Sequence, residues 1–152
     1  MRPLLVVVAD FATARFYRLP ADSRRLRLLE VLENPAARSH EFQLVSSRQG
    51  RVDSRAVGHP QAFDAHRSAK RVASERFAGT VAKRIGGRCA ALKNEDVVIV
   101  AGGRLLGLVD RKLPRAAQHR LVATVPRDLS HLTAAALARE VLPLRQLPAA
   151  QA

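Results

Sequence analysis

The sequence predicts an α/β fold, a mixed β-sheet in the element order βββαβαβα with helices on its faces. Three observations predict it. Two short apolar runs rich in β-branched residues, Leu4–Ala9 and Asp96–Ala101, are typical of strands buried on both faces. Residues 13–32 read as short strands separated by turn residues, which indicates an antiparallel meander. Apolar residues recur at helical spacing over residues 67–85, and further helices and strands then alternate.

The first half of the chain is predicted to contain three strands and one long loop. The strands are Leu4–Ala9, Thr13–Leu19 and Arg25–Leu32. Periodicity then disappears over residues 34–66. Because unstructured loops beyond about 12 to 15 residues in compact domains are usually functional or disordered, this segment is a candidate contact surface. A tolerated flexible insertion is the alternative.

The second half alternates helices with strands. Its predicted elements are a helix over Arg67–Ile85 that Gly86 and Gly87 end or fray, a strand over Asp96–Ala101, a helix over Arg104–Leu113, a strand over Leu121–Val125 and a helix capped by Thr133. Leu132 and Leu137 flank that cap as a hydrophobic staple would require. We expect residues 1–146 to form one domain with the loop at 34–66, followed by a frayed tail at 147–152.

The charge of the chain predicts an anionic partner. The 152 residues include 26 Lys and Arg against 13 Asp and Glu, so the formal net charge is +13. Of the 26 basic residues 22 are arginines, which grip phosphate bidentately. Codon bias would explain the excess of Arg over Lys, but it does not explain the excess of positive charge. Nucleic acid is the natural partner, contacted through its backbone because the few aromatic residues suit core positions.

The predicted phosphate contacts lie in the long loop and in the first turns of the helix that follows it. They are Arg38, Arg48, Arg51, Arg55, Arg67, Lys70 and Arg71. Their closeness along the chain predicts that positive charge concentrates at one end of the molecule.

Composition also predicts the compartment. The single cysteine forms no internal disulfide, and the longest apolar run, Leu4–Ala9, is too short for a membrane span or for the apolar region of a signal peptide. We therefore expect a cytoplasmic protein without membrane contact.

Asp10 is the strongest candidate for a catalytic carboxylate. It ends the first predicted strand, where a nuclease of the ribonuclease H type would begin its two-metal site. Its candidate partners Glu30, Glu33 and Asp128 form no acidic pair or short acidic motif. A turn residue is the simpler interpretation, and metal-dependent nuclease activity is the weaker alternative.

The remaining reactive residues form no metal or nucleophile pattern. The spacing of His40, His59 and His66 does not match the tight pairs of zinc ligands, and Cys89 is interpreted as a helix-end residue. The pair Gly102-Gly103 between a strand and a helix resembles a phosphate-binding turn in miniature, which a tight β-to-α turn explains equally well. We expect no catalytic residue, no metal and no cofactor, in a protein that is not an enzyme.

Several collinear segments resemble the bacterial host attachment protein family. They are VAD at 8–10, ARF at 14–16, ENPAAR at 33–38, LVSSRQGR at 44–51, His66 with ERFA at 75–78, VIVA at 98–101, RLLG at 104–107 and DLSHL at 128–132. The resemblance extends over most of the chain. Within these segments it singles out Asp10, Arg15, Asn34, Arg104, Asp128 and His131.

The resemblance implies both a fold and a role. The family name describes a part in bacterial attachment to host cells, and the family fold is similar to the ribonuclease H-like middle domain of archaeal and eukaryotic release factors and Pelota. The release-factor loop carries Gly-Gly-Gln, whereas residues 34–66 contain only Gln49-Gly50, so peptidyl-tRNA hydrolysis is not implied. We expect a module that binds ribosomal RNA or tRNA at the translation machinery, with an interaction factor in attachment as the alternative. Whether the protein forms a homo-oligomer stays open.

Asp128 and His131 allow two interpretations. In the structural one, Asp128 accepts backbone hydrogen bonds in the turn after the last strand and His131 donates to a nearby carbonyl. In the functional one, both contact a ligand at the carboxyl edge of the sheet.

Overall fold

The computed structural model describes residues 1–37 and 60–149, in which five strands form one mixed sheet in the order β3-β2-β1-β4-β5. The strands are β1 Leu4–Ala9, β2 Thr13–Leu19, β3 Arg27–Glu33, β4 Asp96–Ala101 and β5 Leu121–Val125. The β1-β2 and β2-β3 pairs are antiparallel, and the β1-β4 and β4-β5 pairs are parallel. The predicted α/β class with a mixed sheet is confirmed, while the closer resemblance to ribonuclease H-like and release-factor domains stays a prediction.

Helices cover both faces of this sheet. They are α1 Pro60–Ala91, α2 Gly103–Lys112, α3 Arg115–Gln118, α4 Ala134–Val141 and a 3₁₀-helix over Leu142–Gln146. On one face, β1 residues such as Val7 pack with α1, α2 and α3, and on the other, residues such as Val6 pack with α4. Alternate side chains of a strand point to opposite faces, so β1 is buried along its whole length. No helix within residues 1–37 and 60–149 is long and apolar enough to cross a membrane.

The long helix starts earlier than predicted. Of the expected loop over 34–66, residues 35–37 are helical and the part from Pro60 to His66 belongs to α1, so the prediction is wrong there. Residues 38–59 lie outside the described residues. The residues of α1 from Asp64 to Val72 are exposed. Helical turns that face solvent carry no apolar stripe, so the sequence pattern does not indicate them. Proline is also favoured at the first position of a helix, where its missing N–H costs no hydrogen bond.

The long helix also continues past Gly86 and Gly87, contrary to the prediction, and ends at Ala91. A Cβ atom built on Gly86 would lie 2.6 Å from Cγ of Pro114, the residue that precedes α3. Glycine therefore lets the helix approach Pro114 closely. Tertiary packing offsets the lower helix propensity of glycine, which sequence periodicity alone does not show.

Two polar clusters connect distant elements: one joins the edge strand β3 to α1, and the other joins the C-terminal segment to the β2-β3 turn. Glu30 of β3 forms salt bridges with Arg84 (3.3 Å) and Arg88 (2.8 Å) of α1. In the 3₁₀-helix, the Arg145 guanidinium donates to the carbonyl oxygens of the β2-β3 turn. The acceptors are Leu19, Pro20, Ala21 and Ser23.

The predicted cap of the last helix is confirmed, since Oγ1 of Thr133 accepts a hydrogen bond from the Ala136 backbone N–H at 3.2 Å. Leu132 packs against the same core cluster as Leu137.

The predicted third strand is displaced toward the C-terminus. It runs over Arg27–Glu33 with an irregular register opposite Phe16 and Tyr17, a local effect that alternation does not reveal.

Candidate functional site

The residues that the family resemblance singles out gather at one edge of the sheet. They are Asp10, Arg15, Asn34, Arg104, Asp128 and His131. The parallel strands β1, β4 and β5 end at this edge, the antiparallel strand β2 begins there, and β3 ends there. Topology therefore brings together residues that lie far apart in the sequence. Ligands of open α/β sheets tend to bind at such a carboxyl edge.

Asp10 shapes the turn between β1 and β2. Its Oδ1 accepts hydrogen bonds from the backbone N–H groups of Ala12 and Thr13, both at 2.7 Å. Its own backbone N–H donates to the Thr13 carbonyl at 2.9 Å. The interpretation of Asp10 as a turn residue is thereby confirmed.

Asn34 and Arg15 connect this turn to its neighbours. The Asn34 amide Nδ2 donates to the Phe11 carbonyl at 2.8 Å, and the Asn34 backbone N–H donates to the Ala12 carbonyl at the same distance. Asn34 is only 9% exposed, so these bonds satisfy polar groups that are largely removed from water. Nη2 of Arg15 donates to the Ser130 carbonyl at 2.6 Å, which joins β2 to the segment after β5.

Asp128 plays the same part in the segment after β5. Its Oδ1 accepts hydrogen bonds from the hydroxyl of Ser130 and from the Ser130 backbone N–H at 3.0 Å. These two bonds, with a smaller contribution from the positive charge of the neighbouring His131, hold the pKa of Asp128 below its usual value. The predicted turn at Asp128 is confirmed. The predicted donation from His131 to a carbonyl is wrong for the described part of the chain, because the His131 side chain is exposed and makes no hydrogen bond there.

Arg104, like His131, is exposed, and its side chain makes no hydrogen bond within the described residues. It lies in the first turn of α2, where Gly102 occupies the N-cap position without a side-chain hydrogen bond. The Arg104 guanidinium carbon lies 5.8 Å from the centroid of the Phe11 ring, within the range of a cation–π contact. A Cβ atom on Gly102 or Gly103 would meet nothing within 4 Å, so neither glycine is needed for close packing.

The predicted phosphate contacts on α1 also face solvent. Arg67, Lys70 and Arg71 are exposed, and the Nε of Arg71 lies 3.4 Å from a carboxylate oxygen of Glu75. Arg71 faces a groove between α1 and α2 that Arg104 also lines, so the structure brings together one residue from each predicted set.

Arg111 also lines this groove, although it is not among the residues predicted from the sequence. The groove is lined by Arg71, Ser74, Glu75, Arg104, Leu108 and Arg111. The signal was present in the sequence, because residues seven apart on a helix lie on the same face two turns apart, which relates Arg111 to Arg104.

Four of the predicted phosphate contacts lie outside the described residues. They are Arg38, Arg48, Arg51 and Arg55, and the candidate histidines His40 and His59 lie there too. The contact surface that the sequence predicts for this segment stays a prediction.

The candidate acids and the thiol are engaged or buried. Glu30 is bound to two arginines of α1. Burial raises the pKa of the Cys89 thiol, and nearby Arg120 opposes that shift only in part. Across residues 1–37 and 60–149, no three side chains of His, Cys, Asp or Glu are grouped closely enough to hold a metal ion.

Comparison with known proteins identifies a family for this chain. No curated protein matches the sequence. The model of the family described as "Protein required for attachment to host cells" matches residues 5–141, which include nearly the whole sheet and the helices α1 to α4. A match of this extent agrees with the resemblance that the sequence motifs carry, and the chain belongs to the family of proteins required for attachment to host cells.

Proposed function

We propose that this protein contributes to bacterial attachment to host cells as a binding protein without a catalytic step. The observation that carries the attachment role is the family match over residues 5–141. The binding role is supported by how the carboxylates at the sheet edge are used. Asp10 and Asp128 both accept hydrogen bonds within their own turns, whereas Arg104 keeps a charged group toward solvent.

An adhesion assay tests the attachment role. A strain that lacks the gene is compared with its parent, and with the same strain carrying the wild-type gene on a plasmid, for attachment to host cells at matched growth. We expect adhesion to fall in the deletion strain and to recover on complementation. Equal adhesion of all three strains contradicts the proposal.

A second candidate function is binding of ribosomal RNA or tRNA in the cytoplasm, which would make the attachment role indirect. It is supported by the net charge of +13 and by the exposed Arg67, Lys70 and Arg71 on α1. Basic side chains that neutralise phosphates release bound counterions, so such binding is strongly salt-dependent.

Salt dependence and a matched variant test this second function. Replacing Arg67, Lys70 and Arg71 together by Ala should lower the slope of log affinity against log salt by about three, one unit for each lost phosphate contact. The control replaces Arg24, Arg25 and Arg139, which are exposed and lie outside α1, and so removes the same charge. We expect a smaller change in the control, and equal effects of the two triple variants contradict a specific surface on α1. Loss of adhesion without co-sedimentation with ribosomes would favour direct action in attachment.

A further inference from the structure

The groove between α1 and α2 has the dimensions of a site for a small anion. Its volume is about 200 Å³. This is the space of roughly seven waters at ~30 Å³ each, enough for one phosphate group and part of its substituent. Arg71 and Glu75 stand on the α1 wall, and Arg104 and Arg111 stand on the α2 wall.

Helix geometry fixes the positions of these arginines. Arg104, Leu108 and Arg111 follow the spacing i, i+4, i+7 and therefore share one face of α2. Leu108 packs against the core between the two arginines. On the α1 wall Ser74 is 7% exposed, and its hydroxyl donates to the Lys70 carbonyl at 2.8 Å. Ser74 therefore contributes space to the groove, and the arginines supply the donors.

The charges in the groove are not balanced. Three arginines face one glutamate, and Glu75 is engaged with Arg71 at 3.4 Å. Within the described residues Arg104 and Arg111 of α2 form no ion pair. By contrast, Arg84 and Arg88 of α1 both form salt bridges with Glu30. Moreover, the first turn of α2 contains no acidic residue, so the positive end of the helix dipole adds to the charge of Arg104.

The guanidinium groups also retain free donors. Arg111 uses Nε in a 3.3 Å bond to the Gly107 carbonyl, which leaves both of its Nη atoms. The Arg104 guanidinium lies over the Phe11 ring and makes no hydrogen bond within the described residues, so its N–H donors remain for a ligand. Such planar forks bind phosphate oxygens bidentately.

We propose that this groove binds a terminal phosphate group, a phosphomonoester dianion, through Arg71, Arg104 and Arg111. The two uncompensated positive charges match the charge of about −1.5 to −2 that a phosphomonoester carries at pH 7, and they exceed that of a phosphodiester. The inference does not depend on the RNA-binding proposal, because the same group occurs at the 5′ end of an RNA and on small phosphorylated molecules.

A titration of the full-length protein with two anions tests the charge preference. The resonances of the arginine Nε–H groups are followed by NMR at pH 7.5 and constant ionic strength during addition of inorganic phosphate or dimethyl phosphate. We expect saturable shifts at Arg104 and Arg111 with phosphate. The affinity for the monoanionic diester should be lower by about tenfold or more. Absence of saturable shifts, or equal affinity for both anions, overturns the proposal.

Substitutions test the named residues. Arg104→Gln and Arg111→Gln should each weaken phosphate binding about tenfold or more, because each removes charged hydrogen bonds. Glu75→Gln should tighten binding because it removes the only negative charge among the described residues that line the groove, and misfolding does not produce such a gain. Arg139→Gln on α4 is the control, with the same loss of charge on the opposite face of the sheet. An equal loss in Arg139→Gln, or weaker binding in Glu75→Gln, overturns the proposal.

Two RNA oligonucleotides of one sequence, one with a 5′-phosphate and one with a 5′-hydroxyl, separate the sources. Tighter binding of the phosphorylated RNA, abolished by Arg104→Gln, assigns the groove to RNA ends. If inorganic phosphate saturates the groove and neither RNA binds, the groove proposal stands with a small phosphorylated ligand, and the RNA-binding proposal fails. If both RNAs bind equally and Arg104→Gln affects neither them nor phosphate, RNA binding stands and the groove proposal fails.

Discussion

Arg145→Met tests whether the C-terminal 3₁₀-helix holds the β2-β3 turn in place. Arg145 donates through Nη1 to the Ala21 and Ser23 carbonyls at 3.3 and 3.1 Å, and through Nη2 to those of Leu19 and Pro20. Methionine keeps much of the aliphatic stem and removes every donor. In the variant, the carbonyl oxygens of the turn could accept hydrogen bonds only from water in place of Arg145.

The magnitude follows from these bonds. Two of the four, to Ser23 and Pro20, are short enough to be strong, and a hydrogen bond from a charged donor contributes about 1.5–3 kcal/mol. The groove beside the turn, which Arg24 and Arg145 both line, is open to solvent, so water replaces part of the loss. We therefore expect the free energy of unfolding to fall by about 2–3 kcal/mol. For a chain of this length that corresponds to a midpoint lower by roughly 5–10 °C.

Calorimetry and urea unfolding measure this change. Arg24→Met is the matched control, since Arg24 is an exposed arginine of the same turn, and we expect its stability to change by less than about 0.5 kcal/mol. A loss below about 1 kcal/mol in Arg145→Met, or an equal loss in the control, would refute the reasoning that these bonds fix the turn.

Three further predictions concern single positions. Gly86→Ala should destabilise the fold by about 1–3 kcal/mol because its methyl group would meet Pro114, whereas Gly87→Ala, in open space on the same helix, should stabilise it by about 0.5–1 kcal/mol, both measured by urea unfolding. Asn34→Ala should cost about 1–3 kcal/mol because the Phe11 carbonyl loses its donor at a largely buried site, and an unchanged midpoint would speak against this. The pKa of Asp128 is lower in the folded protein than in the unfolded chain, so this carboxylate stabilises the fold above its unfolded pKa, and the stabilisation is lost as the pH falls through its folded pKa. In acid titrations, the free energy of unfolding of Asp128→Asn should therefore fall less steeply below about pH 4 than that of the wild type.

The central strands β1 and β4 could be predicted from the sequence because nearly all of their residues are apolar and buried. Every residue of β1 is buried, so Leu4–Ala9 is uninterrupted by polar side chains and its ends are sharp. At the sheet edge the signal weakens. Leu28 and Val31 of β3 are 54% and 44% exposed, and a strand with solvent on both sides has no pattern to mark its first residue.

The bounds of α1 could not be predicted for two opposite reasons. Its first turns are solvated and so carry no apolar stripe, while its last turns contain Gly86 because Pro114 packs there. The first feature hides a helix that exists, and the second imitates a helix end. Both depend on what surrounds the helix, which a local pattern does not contain.

The candidate groove could be predicted only in parts. Basic charge selected Arg71, and the family resemblance selected Arg104, but their meeting depends on how α1 packs against α2, over thirty positions apart in the chain. A Cβ atom on Gly79 of α1 would be in ordinary van der Waals contact with the Lys112 side chain of α2, at 3.7 Å.

Five of the six residues of the family motif divide into two roles at the carboxyl edge of the sheet, while the sixth, His131, is exposed and makes no hydrogen bond within the described residues. The side chains of Asp10, Arg15, Asn34 and Asp128 bond to backbone groups of the segments after β1 and β5, so they hold the edge in shape. Arg104 makes no such bond among the described residues, although a cation near the amino end of a helix is unfavourable for the fold. Its contact with its surroundings is the cation–π contact with the Phe11 ring, which leaves its N–H donors for a ligand. Arg104 is therefore the position at which a substitution should separate binding from folding.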